Sequence, residues 1–304
     1  MPIDVLVPDD QGMAALSGLE GVRPVRFLPG DPLPPGADQA EVLIPGFLSV
    51  PEAVGMLDRL PKLRLIQLLS AGAEAWIGQV PDGVLLSTCR GAHGGSTAEW
   101  VLAVLLSIYR ELPGFADAQV AGRWDYHGTD TLQGKKILVI GAGDLGQQLH
   151  RRLVPFDTTV TLVAATARDG VHGVDEVPDL LPGQDAVVLM VPVTSKTVGM
   201  VDAEFLARMD DGAVLVNAAR GSVVDTDALV AELRAERLRA ALDVTDPEPL
   251  PSEHPLWTVP GLLLTPHVAG SCRGGTERAY AVATEEISRF ARGQRPHNLV
   301  IGEY

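Results

Sequence analysis

A strand-like apolar run that ends in a glycine-rich turn constrains the fold of this chain most strongly. Residues Lys136–Ile140 read KILVI and lead directly into the motif GAGDLG at 141–146, and a helical pattern covers residues 144–153. In such a unit the first glycine makes the tight turn, the second lets a pyrophosphate approach, and the third lets helix and strand pack closely. The helix N-terminus adds unpaired N–H groups and a partial positive charge. The pattern therefore predicts a dinucleotide site; the alternative is that the glycines serve only the turn.

Strand-like runs alternate with helix-length segments throughout the chain. The predicted strands are residues 3–7, 42–44, 65–69, 84–87, 136–140, 160–164, 186–191, 213–217, 238–244 and 262–265. Helical periodicity covers residues 97–111 and 275–293, and the Gly- and Pro-rich residues 29–36 are predicted to form a surface loop. This alternation is typical of an α/β protein with doubly wound parallel sheets. The last helix is predicted to return to the first block, so that the second block is an insertion.

Composition excludes several classes of function. The 304 residues include 46% hydrophobic residues, and 24 Lys and Arg against 39 Asp and Glu give a net charge of −15. Such a field repels phosphate backbones and anionic lipid, so neither nucleic acid nor a membrane is expected as partner. Cys89 and Cys272 are too few for a disulfide framework or a cysteine zinc site, so no metal is expected and a cytoplasmic location is predicted. The longest apolar stretch, near residues 100–109, is too short to span a bilayer.

Three polar clusters follow successive predicted strands in the second block. They are Asn217 to Gly221 with Arg220, Asp243 to Pro249 with Glu248, and Thr265 to Gly270 with His267. Taken singly, Arg220 reads as a surface cation, Glu248 as a loop acid and His267 as a satisfied histidine. Because ligands of such sheets bind at the carboxyl ends of the strands, their joint occurrence favours a site. An Arg, a Glu and a His can hold a carboxylate, orient an imidazole and move a proton.

The end of the second strand of this block lacks the acid that usually binds the ribose hydroxyls. Its place is held by Ala164 or Ala165, while Thr166 and Arg168 follow and Asp169 lies further along. Without a carboxylate, repulsion of a 2'-phosphate is lost, and an Arg can pair with that phosphate. NADP(H) is therefore predicted to be preferred over NAD(H). A neutral strand end that discriminates poorly is the alternative.

With these motifs in this order, almost the whole chain resembles the D-isomer-specific 2-hydroxyacid dehydrogenase family, which includes formate and phosphoglycerate dehydrogenases and glyoxylate/hydroxypyruvate reductases. The resemblance implies a flavodoxin-like substrate domain of residues 1–95 and 275–304, interrupted by a Rossmann domain of residues 96–274. It also implies an NAD(P)-dependent oxidoreductase that transfers a hydride between the nicotinamide and a small 2-keto or 2-hydroxy acid. Arg220 would then bind the substrate, His267 would act as acid and base, and Glu248 would hydrogen-bond that histidine.

The motifs and the resemblance together assign further contacts. The residues assigned to the cofactor are Thr97, Gly141, Gly143, Asp144, Leu145, Gly146, Ala164, Thr166, Arg168, Val191, Pro192, Thr197, Ala218 and Asp243, the last beside the nicotinamide carboxamide. The residues assigned to the substrate are Ser70, Ala71, Gly72, Arg220 and His267. The first three match a loop whose backbone N–H groups hold the substrate carboxylate in relatives.

Several positions leave alternatives open. Thr245 stands where many relatives carry a bulky aromatic, which affects pocket shape. Arg90 and His93 precede the helix of residues 97–111, where a solvated loop position is favoured over substrate contact. The resemblance implies a homodimer. Trp124 and Tyr126 fit either the contacts of this dimer or core packing.

Two other functions compete with the hydroxyacid dehydrogenase assignment. One is a non-catalytic nucleotide sensor of the corepressor type, because the family also resembles such a group. The other is an amino-acid or homocysteine-type enzyme on a Rossmann core, which the set of Arg220, Glu248 and His267 disfavours.

Overall fold

Two parallel sheets, each covered by helices, make up the computed structural model, which describes residues 2–46 and 50–302. They lie in two compact units, one of Met1–His93 with Arg273–Tyr304 and one of Gly94–Cys272. We call them the smaller and the larger unit. None of the described helices is long and apolar enough to cross a membrane.

The bounds of the elements are as follows. The strands are β1 (Ile3–Val7), β2 (Val22–Arg26), β3 (Val42–Leu43), β4 (Leu65–Gln67), β5 (Leu85–Ser87), β6 (Lys136–Ile140), β7 (Thr159–Ala164), β8 (His172–Gly173), β9 (Ala186–Leu189), β10 (Val214–Asn217), β11 (Arg239–Leu242) and β12 (Leu262–Leu264). The helices are α1 (Asp10–Leu16), α2 (Val50–Leu57), α3 (Gly94–Tyr109), α4 (Leu112–Val120), α5 (Asp144–Leu153), α6 (Val177–Leu180), α7 (Ala203–Ala207), α8 (Thr226–Arg234) and α9 (Gly275–Ala291).

The sheet of the smaller unit has the flavodoxin-like order β2-β1-β3-β4-β5 in the described residues, with parallel neighbours. Alternate residues of each strand face opposite sides of the sheet. Val5 belongs to an apolar cluster with Ile287 of α9, whereas Leu6 belongs to a cluster with Met56 of α2. The C-terminal helix therefore completes the core of this unit on one face.

The edge strand β2 was missed by the sequence patterns. Arg23, Pro24 and Arg26 interrupt its apolar run, and proline is tolerated at a sheet edge, where one side of the strand needs no backbone donor. Arg23 Nε also donates to Asp4 Oδ1 of β1 at 2.6 Å. Pairing with β1 makes this segment a strand, and a pattern based on apolar runs does not register that pairing.

The sheet of the larger unit has the Rossmann order β12-β11-β10-β9-β6-β7-β8 in the described residues. On one face Leu138 clusters with Leu229 of α8, and on the other Val139 clusters with Leu149 of α5. The order reverses between β6 and β9, which is the switch point where doubly wound sheets bind their ligands. The predicted polar clusters all follow strands on the β9 side of this point.

Several elements end earlier than the apolar runs suggest. The runs of residues 65–69, 186–191 and 238–244 end as strands at Gln67, Leu189 and Leu242. The residues that follow leave the sheet and form the loops described below. The helix predicted over residues 97–111 begins at Gly94 and ends at Tyr109, whereas α5 spans the predicted residues 144–153. Residues 29–36 form a loop without helix or strand, as predicted.

Candidate active site

Two glycines of the turn after β6 are required by packing. Gly141 has a φ of 120°, and a Cβ added there would lie 2.3 Å from the carbonyl oxygen of Met190. A Cβ on Gly146 would lie 2.0 Å from the carbonyl oxygen of Gly141. The first glycine thus allows the left-handed turn, and the third allows α5 to pack against it.

Gly143 differs from Gly141 and Gly146 because the chain's own packing does not require a glycine there. Its φ is −79°, which any residue can adopt, and among the described residues no atom beyond its two chain neighbours lies within 4 Å of an added Cβ. The open space lies directly before the first turn of α5, which begins at Asp144. A close ligand approach explains this glycine, so the turn fits the pyrophosphate of a dinucleotide.

The end of β7 is neutral. The strand ends at Ala164, and Ala165 and Thr166 are exposed. Arg168 is exposed as well, and its Nη2 donates to the carbonyl oxygen of Ala142 at 2.9 Å, which places the guanidinium against the glycine-rich turn. Asp169 lies at the tip of a tight turn closed by backbone hydrogen bonds of 2.9 and 2.8 Å between Arg168 and Val171. It therefore lies beyond the strand end, as predicted.

The other residues assigned to the cofactor occupy strand ends and helix starts of the larger unit. Val191 and Pro192 follow β9, and Thr197 Oγ1 closes their loop by donating to the Pro192 carbonyl oxygen at 2.7 Å. Ala218 follows β10 and is buried, and Thr97, the fourth residue of α3, is buried as well. Asp144 and Leu145 form the first turn of α5, and both are half-buried.

Asn217 and Gly221 position Arg220 after β10. The buried Asn217 donates from Nδ2 to the Arg220 carbonyl oxygen at 2.9 Å and accepts from the Ala219 N–H at 3.0 Å. A Cβ on Gly221 would lie 2.0 Å from the Thr245 carbonyl oxygen, so a glycine lets this turn lie against the loop after β11. Arg220 itself is half-buried. A buried amide at a strand end is the signal that could have identified Asn217 as a positioning residue.

His267 and Glu248 form the predicted pair. Nδ1 of His267 lies 2.6 Å from Oε1 of Glu248, and because a carboxylate only accepts, this nitrogen carries the hydrogen. Nε2 is then the ring nitrogen available for a substrate. The two side chains are 45% and 41% exposed. The site is therefore accessible, and its imidazole has a defined orientation.

The backbone of His267 is strained. Its φ is 53°, in the left-handed region that costs a non-glycine residue about 1–2 kcal/mol. Its N–H donates to the Asp243 carbonyl oxygen at 2.7 Å. The carboxylate of Asp243, in a residue only 3% exposed, accepts from Thr265 Oγ1 at 2.6 Å, the Val268 N–H at 2.8 Å and the Ala269 N–H at 2.9 Å. Asp243 thus holds the loop that carries His267.

The loop assigned to the substrate carboxylate follows β4 in the smaller unit. The Ser70 carbonyl oxygen accepts from the Cys89 N–H at 2.8 Å, and Ser70 Oγ donates to the Gly72 carbonyl oxygen at 2.8 Å. Ser70 is exposed, and Ala71 and Gly72 are half-buried. His93 Nε2 lies 2.9 Å from the Leu69 carbonyl oxygen. The expected solvated position is therefore wrong for His93, which is half-buried against this loop, whereas Arg90 is exposed.

Trp124, Tyr126 and Thr245, which the sequence left open, all lie in the larger unit. Trp124 and Tyr126 are 96% and 91% exposed, so core packing is excluded for both. Thr245 Oγ1 donates to the Pro247 carbonyl oxygen at 2.8 Å, within a loop that has cis peptide bonds before Pro247 and Pro249.

Comparison with known proteins identifies the family. Residues 102–269 match the family model for the NAD-binding domain of D-isomer specific 2-hydroxyacid dehydrogenases. The chain belongs to the D-isomer specific 2-hydroxyacid dehydrogenase family. The larger unit is accordingly the Rossmann-type NAD(P)-binding domain of this family, which supports a nicotinamide cofactor.

Relatives of different lengths share this similarity. The glyoxylate reductase of Thermofilum pendens is 30% identical over 262 residues, which cover 81% of this chain and 77% of that protein. The D-3-phosphoglycerate dehydrogenase of Methanocaldococcus jannaschii is 30% identical over 258 residues, and the match spans 81% of this chain but 49% of that longer protein.

A solved structure is similar over nearly its whole length. The D-isomer specific 2-hydroxyacid dehydrogenase from Xanthobacter autotrophicus Py2, in complex with NADPH and MES, has a TM-score of 0.86 and 30% identity. The match covers 99% of this chain and 98% of that chain. These proteins are named as dehydrogenases and reductases, and they give no support to the corepressor alternative.

Proposed function

We propose that this chain is an oxidoreductase that interconverts a small 2-keto acid and the corresponding D-2-hydroxy acid, with NADPH as the preferred cofactor. The observation that carries the proposal is the pair of His267 Nδ1 and Glu248 Oε1, 2.6 Å apart. This pair follows strands of the same sheet whose β6 end carries the glycine-rich turn. Family membership supports the same reaction class.

The roles of the side chains follow from their chemistry. When bound, the reduced nicotinamide supplies the hydride that adds to C2 of the keto acid, and it is itself oxidised. His267 gives the proton on Nε2 to the carbonyl oxygen in reduction and takes it back in oxidation. Glu248 accepts from Nδ1 throughout and keeps the ring oriented. The guanidinium of Arg220 binds the substrate carboxylate and stabilises the charge that develops on the carbonyl oxygen.

The Ser70–Gly72 loop belongs to the proposal as a carboxylate-binding segment. The carbonyl oxygens of Ser70 and Gly72 accept from the Cys89 N–H and from Ser70 Oγ, and the carbonyl oxygen of the preceding Leu69 lies 2.9 Å from His93 Nε2. These contacts fix the loop backbone and support the assignment of its N–H groups to a substrate carboxylate. Under this proposal His93 is a positioning residue for the loop.

A panel of small 2-keto acids, including glyoxylate, hydroxypyruvate and pyruvate, tests the reaction. We expect turnover on at least one acid with NADPH, measured as the loss of absorbance of the reduced nicotinamide. Tight NADPH binding measured by fluorescence, together with no turnover on any acid, would contradict the proposal and favour a nucleotide sensor.

The small number of cysteines supports a cytoplasmic location as part of the same proposal.

The preference for NADPH is supported by the neutral end of β7 and by the position of Arg168. None of residues 164–168 carries a carboxylate that would repel a 2'-phosphate. Nη2 of Arg168 lies 2.9 Å from the Ala142 carbonyl oxygen. An arginine held at the glycine-rich turn is in a suitable place to pair with that phosphate.

Arg168→Ala tests this preference. A lost charge-assisted contact is expected to lower kcat/KM with NADPH about tenfold or more, and to leave the value with NADH within about twofold. Arg151→Ala is the matched control, because Arg151 is an exposed arginine of α5 outside the turn. A better kcat/KM with NADH in wild type, or an unchanged NADPH value in Arg168→Ala, would show that the phosphate contact is wrong.

A homodimer built through the larger unit is also proposed. The segment after α4 folds back onto the two residues that precede this helix: Arg110 Nε donates to Thr129 Oγ1 at 3.0 Å, and His127 Nε2 lies 3.1 Å from Glu111 Oε2. The hydrogen bond to Glu111 raises the pKa of His127. This ordered segment displays Trp124 and Tyr126 almost fully to solvent. Aromatic side chains are enriched at protein interfaces, which supports a second copy as the partner.

A further inference from the structure

We propose that Asp243 and Thr265 form a positioning pair that sets the His267 imidazole for proton transfer. The inference rests on the proposed role of His267 and deepens it. The family resemblance assigns Asp243 to the nicotinamide. The contacts of its carboxylate point to an additional role, in the loop that carries the histidine.

The donors to Asp243 bracket His267 in the sequence. Oδ1 accepts from Thr265 Oγ1 at 2.6 Å and from the Val268 N–H at 2.8 Å, and Oδ2 accepts from the Ala269 N–H at 2.9 Å. Thr265 lies two residues before the histidine, and Val268 and Ala269 follow it directly. The residue is 3% exposed, so these charge-assisted bonds form with little competition from water.

The backbone of His267 needs such support. Its φ of 53° is unfavourable for a residue with a Cβ, and a conformation of this kind persists only where its surroundings impose it. The 2.7 Å bond from its N–H to the Asp243 carbonyl oxygen adds a contact at the same aspartate. Side chain and main chain of Asp243 together hold the backbone from which the imidazole reaches Glu248.

Thr265 separates this role from a role at the cofactor. Its hydroxyl bonds Asp243 Oδ1, and it is not assigned to cofactor or substrate. Thr265→Val removes the hydroxyl with little change in volume and leaves His267, Glu248 and the glycine-rich turn intact. Thr265→Ser keeps the hydroxyl and serves as the matched control. Asp243→Asn replaces one acceptor oxygen by an amide that faces N–H donors.

Kinetics with the best 2-keto acid and NADPH provide the first measurement. We expect Thr265→Val to lower kcat about tenfold, since a slight misplacement of an acid/base group costs that much or more. The solvent deuterium isotope effect on kcat should increase, because proton transfer then limits the rate further. The NADPH dissociation constant should stay within about twofold of wild type, and Thr265→Ser should restore kcat. Asp243→Asn should shift kcat and the isotope effect in the same direction and further.

Histidine NMR provides a measurement that does not depend on turnover. In protein labelled with ¹⁵N and ¹³C at histidine, the His267 signals are assigned by their absence in His267→Ala. They should be sharp in wild type and Thr265→Ser, and shifted or broadened in Thr265→Val, while the other six histidines stay unchanged. If wild type reduces no 2-keto acid, the proposed function fails, and the NMR comparison still decides the positioning role.

Three results would overturn the positioning pair. The first is wild-type kcat together with unchanged His267 signals in Thr265→Val. The second is a raised NADPH dissociation constant in that variant with an unchanged solvent isotope effect, which would assign the residues to the cofactor. The third is a loss of kcat that Thr265→Ser does not restore. Thermal unfolding of every variant identifies global misfolding. If Asp243→Asn does not fold, the comparison of Thr265→Val with Thr265→Ser is sufficient to test the proposal.

Discussion

At the scale of single residues, the proposed reaction depends most directly on His267. Its Nδ1 is engaged by Glu248 at 2.6 Å, which leaves Nε2 for the substrate. His267→Ala is expected to lower kcat by about 100-fold to 10,000-fold, the usual effect of losing a positioned general acid. The NADPH dissociation constant should remain close to wild type, because the glycine-rich turn is intact. A variant that keeps more than about a third of wild-type turnover would remove His267 from the chemistry.

Arg220 gives a second prediction at this scale. An ammonium is a point charge and does not reproduce the two parallel hydrogen bonds of a guanidinium to a carboxylate. Arg220→Lys is therefore expected to lower kcat/KM for the keto acid about tenfold or more. Arg208→Lys, at an exposed arginine of the same unit that pairs with Glu204 at 2.9 Å, is the control and should behave as wild type. Near-normal kcat and KM in Arg220→Lys would refute the assignment.

At the scale of elements, the strand-turn-helix unit of β6 and α5 separates ligand binding from folding. Gly143 has a φ of −79° and open space at its Cβ position, so Gly143→Ala should keep the wild-type Tm. The same methyl group should obstruct the pyrophosphate and raise the NADPH dissociation constant about tenfold or more. Calorimetry and fluorescence titration measure the two quantities separately. An unchanged NADPH affinity would show that no phosphate approaches this glycine.

Gly146→Ala is the counterpart of that variant. Its Cβ would lie 2.0 Å from the Gly141 carbonyl oxygen, a backbone atom that can move only if the turn or the helix shifts. Overpacking of this kind costs about 1–3 kcal/mol of the free energy of unfolding. Urea unfolding should therefore show a lower midpoint for Gly146→Ala than for Gly143→Ala. Equal midpoints would contradict the packing role of Gly146.

At the scale of the whole molecule, the proposed homodimer predicts a mass in solution. Light scattering at micromolar concentration should give twice the 32.2 kDa of one chain. Replacing the exposed Trp124 and Tyr126 by serine should yield the monomer mass without lowering Tm, since neither side chain contributes to the core. Val154→Ser, at another exposed apolar position of the larger unit, is the control. A monomeric wild type would reject the dimer.

The sequence by itself determined the features that depend on neighbouring residues. The strand of residues 136–140, the glycine-rich turn and the helix of residues 144–153 were all predicted, because strand and helix periodicity and the conformational freedom of glycine are local properties. The absence of an acidic residue at the end of β7 was predicted for the same reason. Parallel strand order then implied that Arg220, Glu248 and His267 belong to strand ends of one sheet.

Only the tertiary structure determined which residues distant in the sequence are in contact. Strand β2 exists because it pairs with β1, although Pro24 and two arginines interrupt its apolar pattern. His93 bonds to a carbonyl oxygen 24 residues away, and Asp243 accepts from donors that lie 22 to 26 residues further along the chain. Such contacts depend on sheet register and on how each loop leaves its strand. Neither is set by local periodicity, because both result from the packing of segments that are distant in sequence.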